Sequence, residues 1–570
     1  MFLLAKSINK KFLLITYLLF ISIFGFTFNY FYGFIGFNVE DTFQHFDSGY
    51  RVLKGDIPIK DYWVADSGPL IDVFQALFFK LFGVNWSAYV IHASFFNLIF
   101  GLTVFFISNI LNNQKFISML FSICCVILMY PTSGTPQIDQ QSIIISIIGM
   151  GFFIYGIKNK KNIYLSIVPF IFLLAFFTKQ VPAGIFAVML AFYSIFHFFK
   201  GNKNIFTYFI FGAAFSFFLT IIIFLIYKIN FYDFYIQLIY MPLQEVSGRN
   251  WLTFDQKPFI TRLVESFFNI KYLSFLLVPT TVLYLKIKDN NKTFHFFIIY
   301  AIIITSIIHG SYTANQAVTV GLLPLISIIL YSKLNNDKVL KYIFVFLILI
   351  AVSRIFLSSN NYLIIIFILL FFYLIQNKLK ISNLFIVKNL LLLYTLLCTI
   401  IYFDKLIIDR KWNDIHGKNV YRDGLVSKNI DTKLNNLKWV SNWPGLDNDK
   451  ILFNSTKNNL NLFKKLKINF LIITNLNFYN ALLEKPNFSP VKYWWKYASY
   501  PHSNNYYKNY FDTFFKDTIN SKKINLIFVL KDVEPIFEIN DFKWFKNCFK
   551  KDENLSNLTR IAYVRLSYCE

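Results

Sequence analysis

Charge is scarce in this chain. Only 15% of its 570 residues are charged, while 56% are hydrophobic and 20% aromatic. That balance excludes an ordinary soluble protein and requires a bilayer around most of the chain. Cysteine is scarce too: there are five, with no CxxC pair and no His-rich spacing to suggest a zinc site. Cys124, Cys125 and Cys398 fall in apolar runs and read as small core residues. Acids are the minority sign, 31 against 56 Lys and Arg, for a net charge of +25. The excess does not call for nucleic acid, because much of it lies in short loops between apolar runs, where the positive-inside bias accounts for it. No internal repeat of the kind many transporters carry is visible.

What the chain has in abundance is long apolar runs. A spanning helix needs about 20 mostly apolar residues, and about thirteen stretches qualify as candidates. They lie near 12–33, 86–110, 116–130, 142–157, 163–178, 181–199, 205–228, 272–287, 294–309, 316–332, 339–357, 361–376 and 384–403. Every second loop collects lysine, as in KNKK at 158–161 and KLNNDK at 333–338, whereas YPTSGTPQIDQQ, HGSYTANQ and SSNN contain none. The alternation predicts a cytoplasmic N-terminus and an extracytoplasmic C-terminus. No A-x-A-like site follows the first span, so it is expected to stay as an anchor. The fold class expected is a polytopic α-helical membrane protein with a C-terminal extracytoplasmic α/β domain.

Two modules follow, 1–403 in the membrane and 404–570 outside it. INFLIITN at 468–475 and INLIFVL at 524–530 have the look of buried parallel strands, with amphipathic stretches at 457–467 and 505–519 between and before them. The second module is basic, which suits a surface resting on anionic membrane lipids. Cys548 and Cys569 would pair as a disulfide in an oxidising compartment. Two outer loops are long enough to fold, 34–85 and 229–271. Within the first, PLIDVFQALFFKLFG is short for a span, and Asp72 and Lys80 suit an interfacial helix.

The acids of the first outer loop are the clearest chemical signal. Asn38–Leu70 is rich in acid yet sits between apolar runs, and Glu40 and Asp41 follow directly on the first span. A carboxylate held there could act on a lipid headgroup. A solvated loop or a helix cap would use the same residues.

The Glu40-Asp41 pair, GDIPIKDYW at 55–63 and SGPL at 67–70 together resemble the first outer loop of GT-C superfamily membrane glycosyltransferases, which include protein mannosyltransferases, oligosaccharyltransferases and aminoarabinose transferases of lipid A. The match is residue-level over this loop and architectural elsewhere. Glu-Asp stands where many relatives have Asp-Glu or Asp-Asp, and Ser67-Gly68-Pro69 where some have Pro-Pro.

The resemblance implies transfer of a sugar from a polyprenyl-phosphate-linked donor to a cell-surface glycan, lipid or protein acceptor. Asp41 or Glu40 would be the general base; neither phase nor spacing separates them, and Asp41 is favoured. Asp61 and Asp66 would orient the acceptor or help bind a divalent metal ion, or simply serve turns. Asp139, in TPQIDQQ, stands where oligosaccharyltransferase-like relatives carry a metal-binding acid, although capping of the next helix explains it as well. Lys179, in FFTKQVP, resembles a Lys-Gln of bacterial members and would meet the lipid phosphate, or snorkel. Arg354 lies inside a span and needs an anionic partner. Arg249, His309 and Tyr312 complete the set. Asp41, Asp139, Lys179, Arg249, His309 and Arg354 all fall on one membrane face under the lysine-derived topology. A polyprenyl-linked glycan polymerase or ligase of another fold, or a transporter, remains the competing reading.

Overall fold

The computed structural model describes residues 2–39, 41–64, 67–112, 114–199, 201, 203–242, 384–409, 415, 424–441, 449–494, 499–501, 506–531 and 541–567. In chain order, α1 (Phe2–Tyr32) leads into a loop carrying α2 (Gln44–Leu53) and α3 (Leu70–Phe82). Then come α4 (Trp86–Asn112), α5 (Lys115–Leu128), α6 (Ile138–Asn159), α7 (Asn162–Thr178), α8 (Gln180–Phe199), α9 (Lys203–Tyr227) and the short α10 (Phe231–Tyr235). Among the described residues α11 (Leu384–Phe403) follows next. The spans expected at 272–287, 294–309, 316–332, 339–357 and 361–376 lie outside the described residues.

Five helical stretches among the described residues are long and apolar enough to cross a membrane: Lys11–Tyr32, Trp86–Leu111, Lys115–Thr132, Ile138–Asn159 and Lys203–Tyr227. At 1.5 Å per residue, a run of 22 residues spans about 33 Å, enough for the hydrocarbon core. The chain is a multi-pass membrane protein. Phe211, Phe215, Phe218, Ile222 and Leu225 of α9 are exposed, as expected of side chains whose solvent is lipid. Helix α7 packs against both α6 and α9 and carries Pro169 within its length. Polar side chains knit the apolar helices: Asn97 donates to the carbonyls of Gly25 (2.9 Å) and Val126 (3.2 Å), and Ser122 to that of Gly101 (2.6 Å). With no water in the bilayer core, such groups find partners inside the bundle.

Beyond the helices, β1 (Leu425–Val426) pairs antiparallel with β2 (Lys438–Trp439). A four-stranded sheet follows in the order β3 (Phe470–Ile473), β4 (Leu526–Leu530), β6 (Arg560–Arg565), β5 (Phe549–Asn557). INFLIITN and INLIFVL form β3 and β4, which pair in parallel from Phe470↔Leu526 to Ile473↔Val529 and are buried along their whole length. Parallel strands need a crossover. Here it contains α13 (Tyr479–Leu483) and α14 (Lys508–Ser521), while α12 (Asp449–Lys465) precedes β3 and α15 (Lys543–Cys548) precedes β5. The β5–β6 hairpin pairs antiparallel beside β4. Cys548 is disulfide-bonded; Cys569 lies outside the described residues.

The sheet region and the first loop share one core. Phe43 packs edge-on to Phe478 with ring centroids 4.7 Å apart, Phe37 on Trp439 at 4.6 Å, and Phe46 on Tyr89 of α4 at 5.3 Å. Backbone pairs stitch the same seam: Phe37 N donates to Val440 O (3.0 Å), Trp63 N to Pro490 O (2.8 Å) and Lys492 N to Trp63 O (3.0 Å). Aromatic pairs of this geometry add to the burial of their area, so the loop between α1 and α4 is fixed from both sides.

One expectation is corrected. Asp72 does not serve as a water-facing charge on an interfacial helix, because it lies on the buried side of α3 with Gln75, Ala76 and Phe79, whereas Lys80 is exposed. Positions 72, 75, 76 and 79 share one helical face, and that face is covered.

Candidate functional site

Asp41 sits in the turn between α1 and α2. Asn38 N donates to Thr42 Oγ1 (2.9 Å) and Thr42 N returns a bond to Asn38 O (3.1 Å), closing the turn. Tyr89 of α4 donates its hydroxyl to Thr42 O at 2.7 Å. Gln137, the residue before α6, donates Nε2 to the backbone carbonyl of Asp41 at 3.1 Å. The half-buried Asp41 carboxylate accepts from Gln44 Nε2 at 3.2 Å. Two membrane helices and the first residue of α2 thus fix where this carboxylate lies.

Asp139, two residues after Gln137 in the first turn of α6, forms an ion pair with Lys179. Each charge has a local reason to be there. An acid suits a helix N-terminus and a cation the C-terminal end of a helix, and Lys179 follows directly on α7, its N–H bonded to Ala175 O at 2.9 Å. Ser142 Oγ bridges α6 to that end through the carbonyls of Ala175 (3.1 Å) and Lys179 (3.2 Å). Gly68 N donates to Thr178 O at 2.9 Å, and a Cβ on Gly68 would overlap the Phe177 carbonyl oxygen. Only glycine lets the SGPL segment lie against the end of α7, next to Lys179. Beside Lys179, the buried Nε2 of Gln180 has no hydrogen-bond partner among the described residues, a cost that a ligand oxygen would relieve.

The structure therefore pairs Asp139 with Lys179 and ties the Asp41 backbone to Gln137, two residues before Asp139. Asp61 is not with them: it is exposed, and its carboxylate accepts Ile57 N at 2.7 Å, holding a turn at the other end of α2. Glu40, Asp66, Arg249, His309, Tyr312 and Arg354 lie outside the described residues. Among the described residues, the donors around Asp139 do not make up a divalent-metal site. The Asp139 carboxylate is paired with an ammonium, and no group of three or more His, Cys, Asp or Glu comes together among the described residues.

A second cluster was not anticipated from the sequence. Asp72 is fully buried, and four side chains converge on it: Lys492 (2.7 Å), Ser48 (2.7 Å) and His45 (3.1 Å) on Oδ1, and Tyr62 (3.1 Å) on Oδ2. Burial pushes the Asp72 carboxyl up, but the Lys492 ammonium and the His45 contact outweigh it and hold the group below the usual range. The same burial, with Asp72 alongside, pushes the Tyr62 phenol well up, so Tyr62 stays a donor. Two residues after His45, Asp47 accepts the backbone N–H groups of Ala481 (2.7 Å) and Asn480 (3.2 Å) at the start of α13. Burial raises its carboxyl to about 7, against the opposing pull of those N–H groups and of Arg51. Arg51 is itself held by Asp56 (2.8 Å) and Ser489 O (2.7 Å). One signal for Asp72 was present in the sequence: an acid in phase with the apolar stripe of an amphipathic helix. Lys492, some 420 residues later, gave none.

No protein-family model matches the chain, and no curated protein matches it. Two solved structures are similar over nearly the whole chain. ArnT from Cupriavidus metallidurans bound to undecaprenyl phosphate has 8% identity and a TM-score of 0.36, covering 97% of this chain and 98% of its own. The same protein in the apo state has 9% identity and a TM-score of 0.34, covering 99% of each.

Proposed function

We propose that this protein is a membrane glycosyltransferase of GT-C type that moves a sugar from a polyprenyl-phosphate-linked donor to a cell-surface glycan, lipid or protein acceptor. The reaction would run on the extracytoplasmic face of the cytoplasmic membrane, with a cytoplasmic N-terminus, about thirteen spans, a membrane module 1–403 and an extracytoplasmic module 404–570. The observation that carries this reading is the bond from Gln137 to the Asp41 backbone, two residues before an Asp139 that pairs with Lys179, at the ends of membrane helices. A base and a cation held there suit transfer from a lipid phosphate better than transport, for which polarity near the midplane would be expected.

In this reading Asp41 takes the proton of the acceptor hydroxyl while the oxygen attacks the anomeric carbon. The bond from that carbon to the phosphate oxygen breaks, and its electrons leave with the lipid phosphate. Inversion follows from a single displacement. Lys179 neutralises the leaving phosphate, and the Gln180 amide donates to it. Asp139 holds the ammonium in place until the donor arrives. Of the two acids in the pair, Asp41 is the one assigned the base, with its carboxylate steadied by Gln44.

Transfer of labelled sugar from a pool of polyprenyl-linked donors, in membranes carrying matched amounts of wild type, Asp41→Asn or Glu40→Gln, tests it. A general base contributes about 100-fold or more, so Asp41→Asn is expected to lose at least that much. Equal product from all three removes the acid pair from the mechanism and favours a polymerase or transporter.

A further inference from the structure

We infer that the cleft between the far end of α2 and the crossover of the sheet region binds the sugar chain of a glycan acceptor. This rests on the transferase reading for the word acceptor, but the cleft stands on its own geometry. It has a volume of about 760 Å³, within the size range of small-molecule sites.

Its lining mixes ring faces with polar groups. Phe488 and Phe514 are half-buried, packed on the core of the sheet region while also lining the cleft. Asn487 spends its Oδ1 on Ser489 N (2.9 Å), which leaves its NH₂ group for a ligand. Thr518 donates its hydroxyl to Phe514 O (2.8 Å) and keeps lone pairs to accept with. Cations and carboxylates are equal in number, four of each. Such a site has no net field to hold a phosphate or nucleotide. A neutral sugar chain, with apolar C–H faces for the rings and hydroxyls for amides and carboxylates, matches this lining.

The cleft is also preorganised and well placed. Arg51 is locked by Asp56 and Ser489 O and lies 4.2 Å over the Tyr62 ring. Lys60 Nζ reaches the carbonyl of Tyr227, the last residue of α9, at 3.5 Å, so the cleft borders the end of a membrane helix. Asp41 lies just before one end of α2 and the cleft at the other, a helix of ten residues and so about 15 Å long. Asp61, which does not join the Asp41 group, lines this cleft.

The test uses the full chain in detergent micelles on a printed array of neutral and acidic oligosaccharides, with the strongest binder titrated by calorimetry. Ser521→Trp blocks the cleft from an exposed helix position, and Phe514→Ala removes a ring face. Each is expected to weaken binding about tenfold or more, the scale of one lost aromatic contact or a steric block. Asp41→Asn is expected to bind as wild type does. In the transfer assay Ser521→Trp should raise the KM for acceptor and leave kcat in place. Saturable glycan binding that Ser521→Trp abolishes, without transfer by wild type, would keep the cleft and refute the transferase. Glycan binding absent from wild type, or unchanged in both cleft variants while Asp41→Asn loses transfer, would refute the cleft and keep the transferase. Binding to peptides alone would overturn the glycan assignment.

Discussion

Asp47→Asn separates the charge of a buried acid from its hydrogen bonding. In the folded protein burial raises the Asp47 carboxyl from 3.8 to about 7, so the folded state holds this proton more tightly than the unfolded chain does. Stability therefore falls as pH rises between those two values, because the unfolded chain has already released the proton and the folded one has not. Between pH 5 and pH 8 the loss comes to about 3 kcal/mol, on the order of 100-fold in an opening equilibrium. Asparagine resembles the protonated acid: its Oδ1 still accepts the Ala481 N–H, and it cannot ionise. Hydrogen exchange at the Asn480 and Ala481 amides reads the opening directly. After correction for intrinsic exchange, wild-type protection is expected to drop across this pH range and that of Asp47→Asn to stay flat. The variant should already be the more protected at pH 5, where the unfolded chain has released its proton, and the gap should widen until about pH 7. Parallel profiles would refute the claim that this carboxyl titrates at the seam between α2 and α13.

Other perturbations test the remaining contacts. Lys492→Met leaves the buried Asp72 carboxylate without its cation and is expected to cost about 3–5 kcal/mol, while adding Asp72→Asn should recover most of the loss; unfolding midpoints in micelles measure both. Gly68→Ala overlaps the Phe177 carbonyl and is expected to destabilise by about 1–3 kcal/mol, with sugar transfer falling further than the midpoint shift explains because Lys179 moves with the end of α7. Lys179→Met is expected to weaken donor use about 10- to 100-fold, the worth of one charge-assisted bond; an unchanged KM for the polyprenyl-linked donor would remove Lys179 from phosphate binding.

The sequence by itself determined the solvent and the local elements. Apolar runs of spanning length can be satisfied only as membrane helices, so α1, α4, α5, α6 and α9 were legible from hydrophobicity alone. The buried β3 and β4 announced themselves as short apolar runs, since strands covered on both faces need no alternation. Asp41, Asp139 and Lys179 were candidates through the GT-C resemblance and through falling on one membrane face under the lysine-derived topology. Only the tertiary structure decided which of these meet. It put Gln137 on the Asp41 carbonyl and paired Asp139 with Lys179, while Asp61 went to the other end of α2. It also buried Asp72 under Lys492, a partner from the far part of the chain. Hydrophobicity and local period are properties of neighbours in sequence, whereas an ion pair between α3 and the sheet region depends on packing that brings distant residues within 3 Å. That packing is carried by Phe43, Phe46, Trp439 and Phe478, whose aromatic character was plain and whose partners were not.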